Sequence, residues 1–412
     1  MKTKNDGLAS WRGGALALLL VGSAIWAPRE ATADVVADWN ATTQSIVVSK
    51  GAQGGVYFAL VHIAVYDAVN AIDRKYSAYA VTPQAPTLGA SQDAAAATAA
   101  YRVLLSVFPD QQSTLDAAYS TSLAAVPDST AKARGIAVGE EVAAKWLALR
   151  ANDGREANVP YVFGTGPGVY QRTLPGPPSP VTPWMAKMQP FALTSASQFR
   201  AYGPPDVTSY RYAQDLKLTQ ALGSATSTER TPEETEIGLF HTESPNTFWA
   251  RNFRDIAARK RLALPASARF FAMMSIAQAD GAIACWDSKY YFNFWRPITA
   301  IQSSDPTWTP LATTPPHPEY PAAHGCVSAA VAELLQHYFG TRWVKVTLTS
   351  TVAGTIPHVF YDVYDIPAEV KMARVYGGMH FLTSTEHGVL LGAKVARWVE
   401  TNYFKPLGPH PR

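Results

Sequence analysis

The chain has 412 residues, 47% of them apolar and 16% charged, with a formal charge of +3. That length suits one large domain or two coalesced ones, and the composition excludes global disorder. The charge is too small to argue for nucleic acid or an acidic membrane surface, so any functional positive charge has to be local.

At the start, Lys2, Lys4 and Arg12 precede an apolar stretch from Ala15 to Ala27, and Ala31-Thr32-Ala33 follows. This is the pattern of a secretory signal cleaved after Ala33, and the stretch is shorter than the ~20 residues a bilayer span needs. A periplasmic or secreted protein with no stable membrane span is expected, residues 34–412 forming the mature domain. Losing 1–33 removes four Lys/Arg and two Asp/Glu, which takes +3 to +1.

From there the pattern is helical almost throughout. Phe58–Ile72 is apolar with helical spacing; within it His62, near Asp67 and Asn70, reads as structural. Ser91 opens an Ala-rich helix toward Val107. Asp128 or Ser129 can cap another, in which Val142, Trp146 and Leu149 share a face. Further helices are predicted at about 210–222, 232–241, 266–288, 325–339 and 385–402. Strand alternation is scarce and no βαβ rhythm appears, so the predicted fold class is all-α, built of two packed helical bundles.

Pro and Gly gather in two long stretches, 160–183 and 305–321. The first is expected to cover the body of the protein and to separate an N-terminal helical half, 34–159, from a C-terminal half, 184–412. The second leads into His324 and is expected to shape the entrance of a site. Gly164-Thr-Gly166-Pro-Gly168 has no preceding strand and no Lys-Ser/Thr, so it reads as loop and not as a phosphate cradle. The two cysteines, Cys285 and Cys326, read either as buried thiols or as a bridge.

Three segments carry oxyanion chemistry: Lys289 through Arg296-Pro297, Pro321-Ala-Ala-His324-Gly325, and Arg374 through Gly377-Gly378-Met-His380. Lys289 and Arg296 are seven apart, which two helical turns place on one face. His324 falls at a predicted helix N-terminus, where free N–H groups favour an anion. Gly378 is expected to let the backbone approach a bound oxyanion. One Lys and two Arg suit a tetrahedral anion, and two His suit a ligand or nucleophile and a proton donor.

In this order the segments resemble the signature of the vanadium-dependent haloperoxidases and the related type-2 phosphatidic acid phosphatase superfamily: Lys-x6-Arg-Pro, Pro-Ser-Gly-His and Ser-Arg-x3-Gly-x-His. The resemblance implies that Lys289, Arg296 and Arg374 neutralise the oxygens of a vanadate cofactor, with Ala322, Ala323 and Gly378 near them. It implies His380 as the metal ligand and His324 as the acid–base acting on hydrogen peroxide. Trp286 matches a pocket aromatic. His317 matches a position that is Phe in chloroperoxidase-like and His in bromoperoxidase-like members. Glu243 matches, more loosely, an Asp paired to the site. Hydrogen peroxide, halide and a small organic acceptor are the implied partners, with bromide or iodide favoured.

Three departures stand out. Ala322 and Ala323 replace the motif Ser and Gly, and Ser384 stands where phosphatase-like members carry an Asp that orients the His. Two rival readings follow. One is a phosphomonoesterase with phosphate in the same site and His380 as nucleophile; the other is a degenerate, non-catalytic phosphate binder.

Overall fold

The computed structural model describes residues 34–52, 55–173 and 176–408, so the expected signal segment lies outside the described residues. Side-chain caps start the first helices. Asp34 accepts from the Val36 N–H and begins α1 (Val35–Ser49), which the sequence reading did not assign. After α2 (Gly55–Asp73), Ser91 caps α3 (Gln92–Val107) by accepting from the Ala94 N–H. A short α4 (Gln112–Ala124) follows, and Ser129 caps α5 (Thr130–Leu149). Val142 and Trp146 are buried as expected, but Leu149, in the last turn, is 58% exposed.

Next come α6 (Tyr210–Leu222), α7 (Pro232–Phe240) and α8 (Pro245–Arg259). A reciprocal Thr231–Glu234 capping box satisfies two free donors at the start of α7. The long α9 (Leu264–Phe292) leads to α10 (Pro297–Gln302) and α11 (Ala323–Phe339). A small antiparallel hairpin, β1 (Val346–Leu348) with β2 (His358–Phe360), precedes α12 (Asp365–Tyr376) and α13 (Leu382–Asn402). The predicted all-α class holds.

The core forms around α9, buried from Ser267 almost continuously to Lys289 and packed against α2, α11 and α13. The α2 helix is apolar enough to span a membrane by length and composition, yet it is buried inside the protein. His62 is therefore in the interior and not on a polar edge. Its Nε2 lies 2.9 Å from Asn40 Nδ2. Buried carboxylates anchor loops to this core. Asp67 accepts from the N–H groups of Tyr79, Ala80 and Val81, and Asp280 from those of Phe191, Ala192 and Leu193.

Close contact between α11 and α13 fixes the ground under the site. A Cβ on Gly388 would come within 2.6 Å of the Ala322 carbonyl, and one on Gly392 within 2.0 Å of the Cys326 carbonyl. These two glycines, one turn apart on α13, let the first turns of α11 lie against it. The first long loop crosses above: Tyr170 N–H donates to Asn293 O, and Val181 N–H to Pro316 O. It thus meets both the end of α9 and the second Pro-rich stretch.

Candidate active site

Lys289 occupies the last turn of α9, but Arg296 is not on the same helix. Asn293 takes a left-handed conformation (φ 50°) and closes α9, while Pro297 holds Arg296 extended (φ −82°, ψ 154°). The seven-residue spacing therefore works through a helix end and a turn, and the shared helical face is corrected. Both side chains still converge on the Pro318–Pro321 strip.

There the cations meet carbonyls first. Lys289 Nζ donates to the carbonyl of Pro318 at 3.0 Å, of Glu319 at 2.8 Å, and of Pro321. Its three protons are committed, so it shapes the strip and contributes field without touching the cavity, contrary to the expected direct contact. Arg296 donates from Nε to His317 O, and from one terminal nitrogen to Met379 O at 2.9 Å and His380 Nε2 at 3.1 Å. Arg374 donates to His241 O, while its Nε is buried with no hydrogen-bond partner. Burial lowers all three, Lys289 to about 8, Arg296 to about 10 and Arg374 to about 9. Buried cations this close to one another call for an anion.

His380 follows the end of α12 and is 1% exposed. Its Nδ1 lies 2.9 Å from Glu319 Oε1, which also accepts from the Phe381 N–H at 3.0 Å. With Nδ1–H donating to Glu319, the single Nε2 lone pair accepts from Arg296 here, and it is available to a metal centre once that guanidinium turns aside. The carboxylate missing at Ser384 is therefore supplied by Glu319, so the expectation of an unsupported His380 is corrected. Glu319 was legible only as a lone acid in the Pro-rich run before His324. Burial pushes its carboxyl up to about 7, against the pull of Lys289 and Arg296. Its Oε2 is buried and unpartnered.

His324 lies in the first turn of α11, as expected, and its Nε2 is buried without a partner. Burial, followed by the charge of Arg374, holds His324 well below the ordinary imidazole range; for His380 the order is burial, then Arg296. Both rings are therefore neutral, so each can accept a proton or a metal bond.

Trp286, His317, Ala323, His324, Arg374 and His380 line one cavity of about 580 Å³. Its walls are largely apolar, with Val181 from the first loop and Leu311 from the second, so the second loop shapes the entrance as expected. Trp286 donates to Thr182, and its ring centroid lies 5.0 Å from that of His317. His317 Nδ1 faces an Arg296 terminal nitrogen at 3.0 Å.

Two expected contributors stand elsewhere. Glu243 is held bidentate by Arg251, at 2.7 and 2.8 Å, and accepts from the Thr351 N–H; it is not paired to a site histidine. Gly378 has φ 71°, but a Cβ there would meet Gly223 O at 2.4 Å and Pro310 at 2.8 Å. Its bareness serves loop packing, not approach to an oxyanion. Ala322 is fully buried, its N–H donating to Ser384 O, and neither Ser288 nor Ser384 turns its hydroxyl to the place of the motif Ser. Ser288 donates to Ala284 O and Ser384 reaches toward Glu319 O. Cys285 and Cys326 are free, buried thiols.

The comparisons agree with this architecture. Residues 269–407 match the VCPO second helical-bundle domain. Vanadium chloroperoxidase of Curvularia inaequalis is 27% identical over 263 residues, covering 50% of this chain and 43% of that protein, so the chain spans less than half the length of that curated relative. Among solved structures, the first bacterial vanadium-dependent iodoperoxidase superposes with a TM-score of 0.80 at 23% identity, over 92% of this chain and 98% of that one. A bacterial vanadium-dependent chloroperoxidase superposes in its apo form at 0.69 (16% identity, 84% and 92% covered) and in its holo form at 0.68 (18%, 91% and 93%). The chain has the fold of these solved vanadium haloperoxidases, and residues 269–407 match the VCPO second helical-bundle domain.

Proposed function

We propose that this protein is a vanadate-dependent haloperoxidase that oxidises halide with hydrogen peroxide. The observation that carries the reading is the neutral His380 Nε2, aimed into a cationic cavity by the Glu319 carboxylate behind it. Three cations against one carboxylate leave a site charge of +2 when Glu319 is ionised, suited to an oxyanion. The unpartnered Arg374 Nε and His324 Nε2 fit such a group as donors or acceptors. Vanadate, when bound, supplies the activation of peroxide toward halide.

The chain's own residues do the rest. His380 holds the cofactor through Nε2, and Glu319 keeps that tautomer by accepting from Nδ1. Arg374, helped by the field of Arg296 and Lys289 behind the wall, draws negative charge off the bound oxygens in a dry site, where such interactions are strong. His324 takes a proton at Nε2 from incoming peroxide. The apolar walls keep bulk water from competing with halide. His317 beside Trp286 makes the halide end more polar than a Phe would, which favours iodide and bromide over chloride; a bacterial iodoperoxidase is among the structural neighbours. A small organic molecule is the final acceptor, and export with cleavage after Ala33 places the enzyme in the periplasm or outside the cell.

One observation favours a second reading. Glu319 gives His380 the orienting carboxylate that a phosphohistidine nucleophile needs, with His324 protonating the leaving oxygen. Purified protein given orthovanadate and peroxide should oxidise iodide and bromide, with little chloride oxidation. The same preparation without vanadate should hydrolyse an aryl phosphate poorly. Strong phosphatase turnover with no peroxidase activity would reverse the order of the two readings.

A further inference from the structure

Beside Arg374, outside the cavity, stands a second cluster with a different character. His241 follows α7, His358 opens β2, and Glu369 lies on α12. Glu369 Oε1 is 2.8 Å from His241 Nε2 and 2.7 Å from His358 Nδ1. The ligand atoms of the three residues all lie within 4.8 Å of one another. We propose that His241, His358 and Glu369 form a divalent-cation site, best matched by zinc, that clamps the β1–β2 hairpin to α12 and the end of α7.

The outer contacts support an ion. His358 Nε2 faces Glu236 Oε2 at 2.9 Å, and a neutral ring donating there turns its Nδ1 lone pair toward Glu369. Two acceptors at 2.7 Å repel unless a cation sits at that nitrogen, either a proton or a metal. An imidazole bound to a metal through one nitrogen while donating to a carboxylate through the other is the usual outer arrangement of histidine ligands. Glu236 is itself held, since its Oε1 accepts from the Ile356 N–H at 3.0 Å. Phe240 stacks on the His358 ring at 3.8 Å, which fixes its direction.

Two imidazoles and a carboxylate are a zinc donor set, with a fourth position left for water. Bonds of ~2.0–2.1 Å with tetrahedral angles set ligand atoms ~3.3 Å apart, so the two Glu369 contacts need to open by roughly half an ångström. Side-chain rotation can supply that, because Glu369 is 20% and His358 10% exposed. The same partial exposure gives an ion a path in. With neutral imidazoles, Glu236 and Glu369 leave this cluster at −2, so it attracts a divalent cation.

The test uses full-chain protein stripped with chelator in phosphate-free buffer, then titrated with Zn²⁺ and separately with Co²⁺. A single equivalent of zinc should survive dialysis, and Co²⁺ should give tetrahedral visible absorption. Glu369→Gln and His241→Ala should lose both signals, and Glu236→Gln should weaken binding about 10–100-fold. His380→Ala should still retain zinc; loss there, with retention in Glu369→Gln, would assign the ion to the anion cavity and overturn the proposal. If the cluster variants do not fold, zinc-edge anomalous diffraction from wild-type crystals decides. A peak bonded to these three side chains supports the site, and no peak there means a proton holds the cluster.

Discussion

Arg374 stands between two carboxylate–histidine clusters built from the same groups to opposite ends. On one side, Glu319 is fully buried, serves one histidine, and has its carboxyl pushed up to about 7 by burial. On the other, burial also acts to raise Glu369, but its contacts with His241 and His358 outweigh it and bring the carboxyl down to about 2. The first acid lies among Lys289, Arg296 and Arg374 and leaves net positive charge for an anion. The second is paired with a further acid, Glu236, across an imidazole, and leaves net negative charge for a cation. Residue type alone therefore does not set what a buried Glu–His pair binds; the charges placed around it do.

The sharpest way to break the contrast is His380→Ala. If His380 holds the anion group and the other cluster does not, this variant should lose bound vanadium on dialysis, and peroxidase activity should fall to background. Vanadium content and peroxide-dependent iodide oxidation, measured together, check it. Retained vanadium would mean that the cationic cavity alone suffices.

A third buried histidine extends the contrast, because it has no carboxylate at all. Arg254 donates to Asn40 Oδ1, so Asn40 Nδ2 donates to His62 Nε2 and fixes a neutral ring. Burial, then the nearby charge of Arg254, lowers His62 to about 3 from an ordinary 6.5. The unfolded chain thus binds the extra proton first. The contribution is fully present above pH ~6.5 and is lost as pH falls toward ~3. Between pH 7 and 4 the wild type should lose on the order of 3 kcal/mol through this group, at ~1.4 kcal/mol per unit. His62→Gln, which cannot titrate, should lack that component in urea melts across the range. Equal pH slopes would show that His62 titrates in the fold as it does in the unfolded chain.

Glu319 itself is next in size. Glu319→Ala should weaken vanadate about 10–100-fold, as removal of a group orienting a metal-bound histidine does. Glu319→Gln keeps the volume and an acceptor for His380 Nδ1–H, and should recover part of the loss. Equal defects in both variants would assign Glu319 a role through its charge and not through the tautomer it holds.

How much of this could be read in the residues differs between fold and site. The Ser91 and Ser129 caps and the period of α6 and α13 are local signals, and the structure keeps them within a few residues. Helices α4 and α10 go unassigned in the sequence, and so do α1, α8 and α12. Their buried faces are completed by distant elements, α8 packing on α1 and α12 on α7 and α11. At the site, the ordered triple of motifs picks out the cations and the two histidines that the structure brings together. It could not reveal that Lys289 spends its protons on carbonyls, or that the orienting acid is Glu319 and not a residue near Ser384. Those facts depend on how the Pro318–Pro321 strip crosses α9, a long-range packing outcome. The Glu243 expectation failed for a local reason: Arg251, eight residues on in α8, takes both carboxylate oxygens.

The smallest expected effect concerns Ala322, at the wall between the anion cavity and the α11–α13 seam. The motif hydroxyl is absent, and the neighbouring Ser288 and Ser384 point at the Ala284 and Glu319 carbonyls. An oxyanion oxygen on this side therefore has the α11 N-terminus but no hydroxyl from either of these serines. Ala322→Ser should tighten vanadate or phosphate by about one order of magnitude, following the ~1–1.5 kcal/mol net worth of one hydrogen bond. The opposing force is space. Ala322 is fully buried, and its carbonyl already meets the bare Gly388, so an added oxygen must turn toward the cavity to be accommodated. Titrating wild type and variant with vanadate, alongside a thermal melt, separates the two. Tighter binding at unchanged Tm means the hydroxyl faces the anion. Unchanged or weaker binding with a lowered Tm means it crowds the seam, and the cavity then binds its anion through Arg374, His324 and His380 without help from this wall.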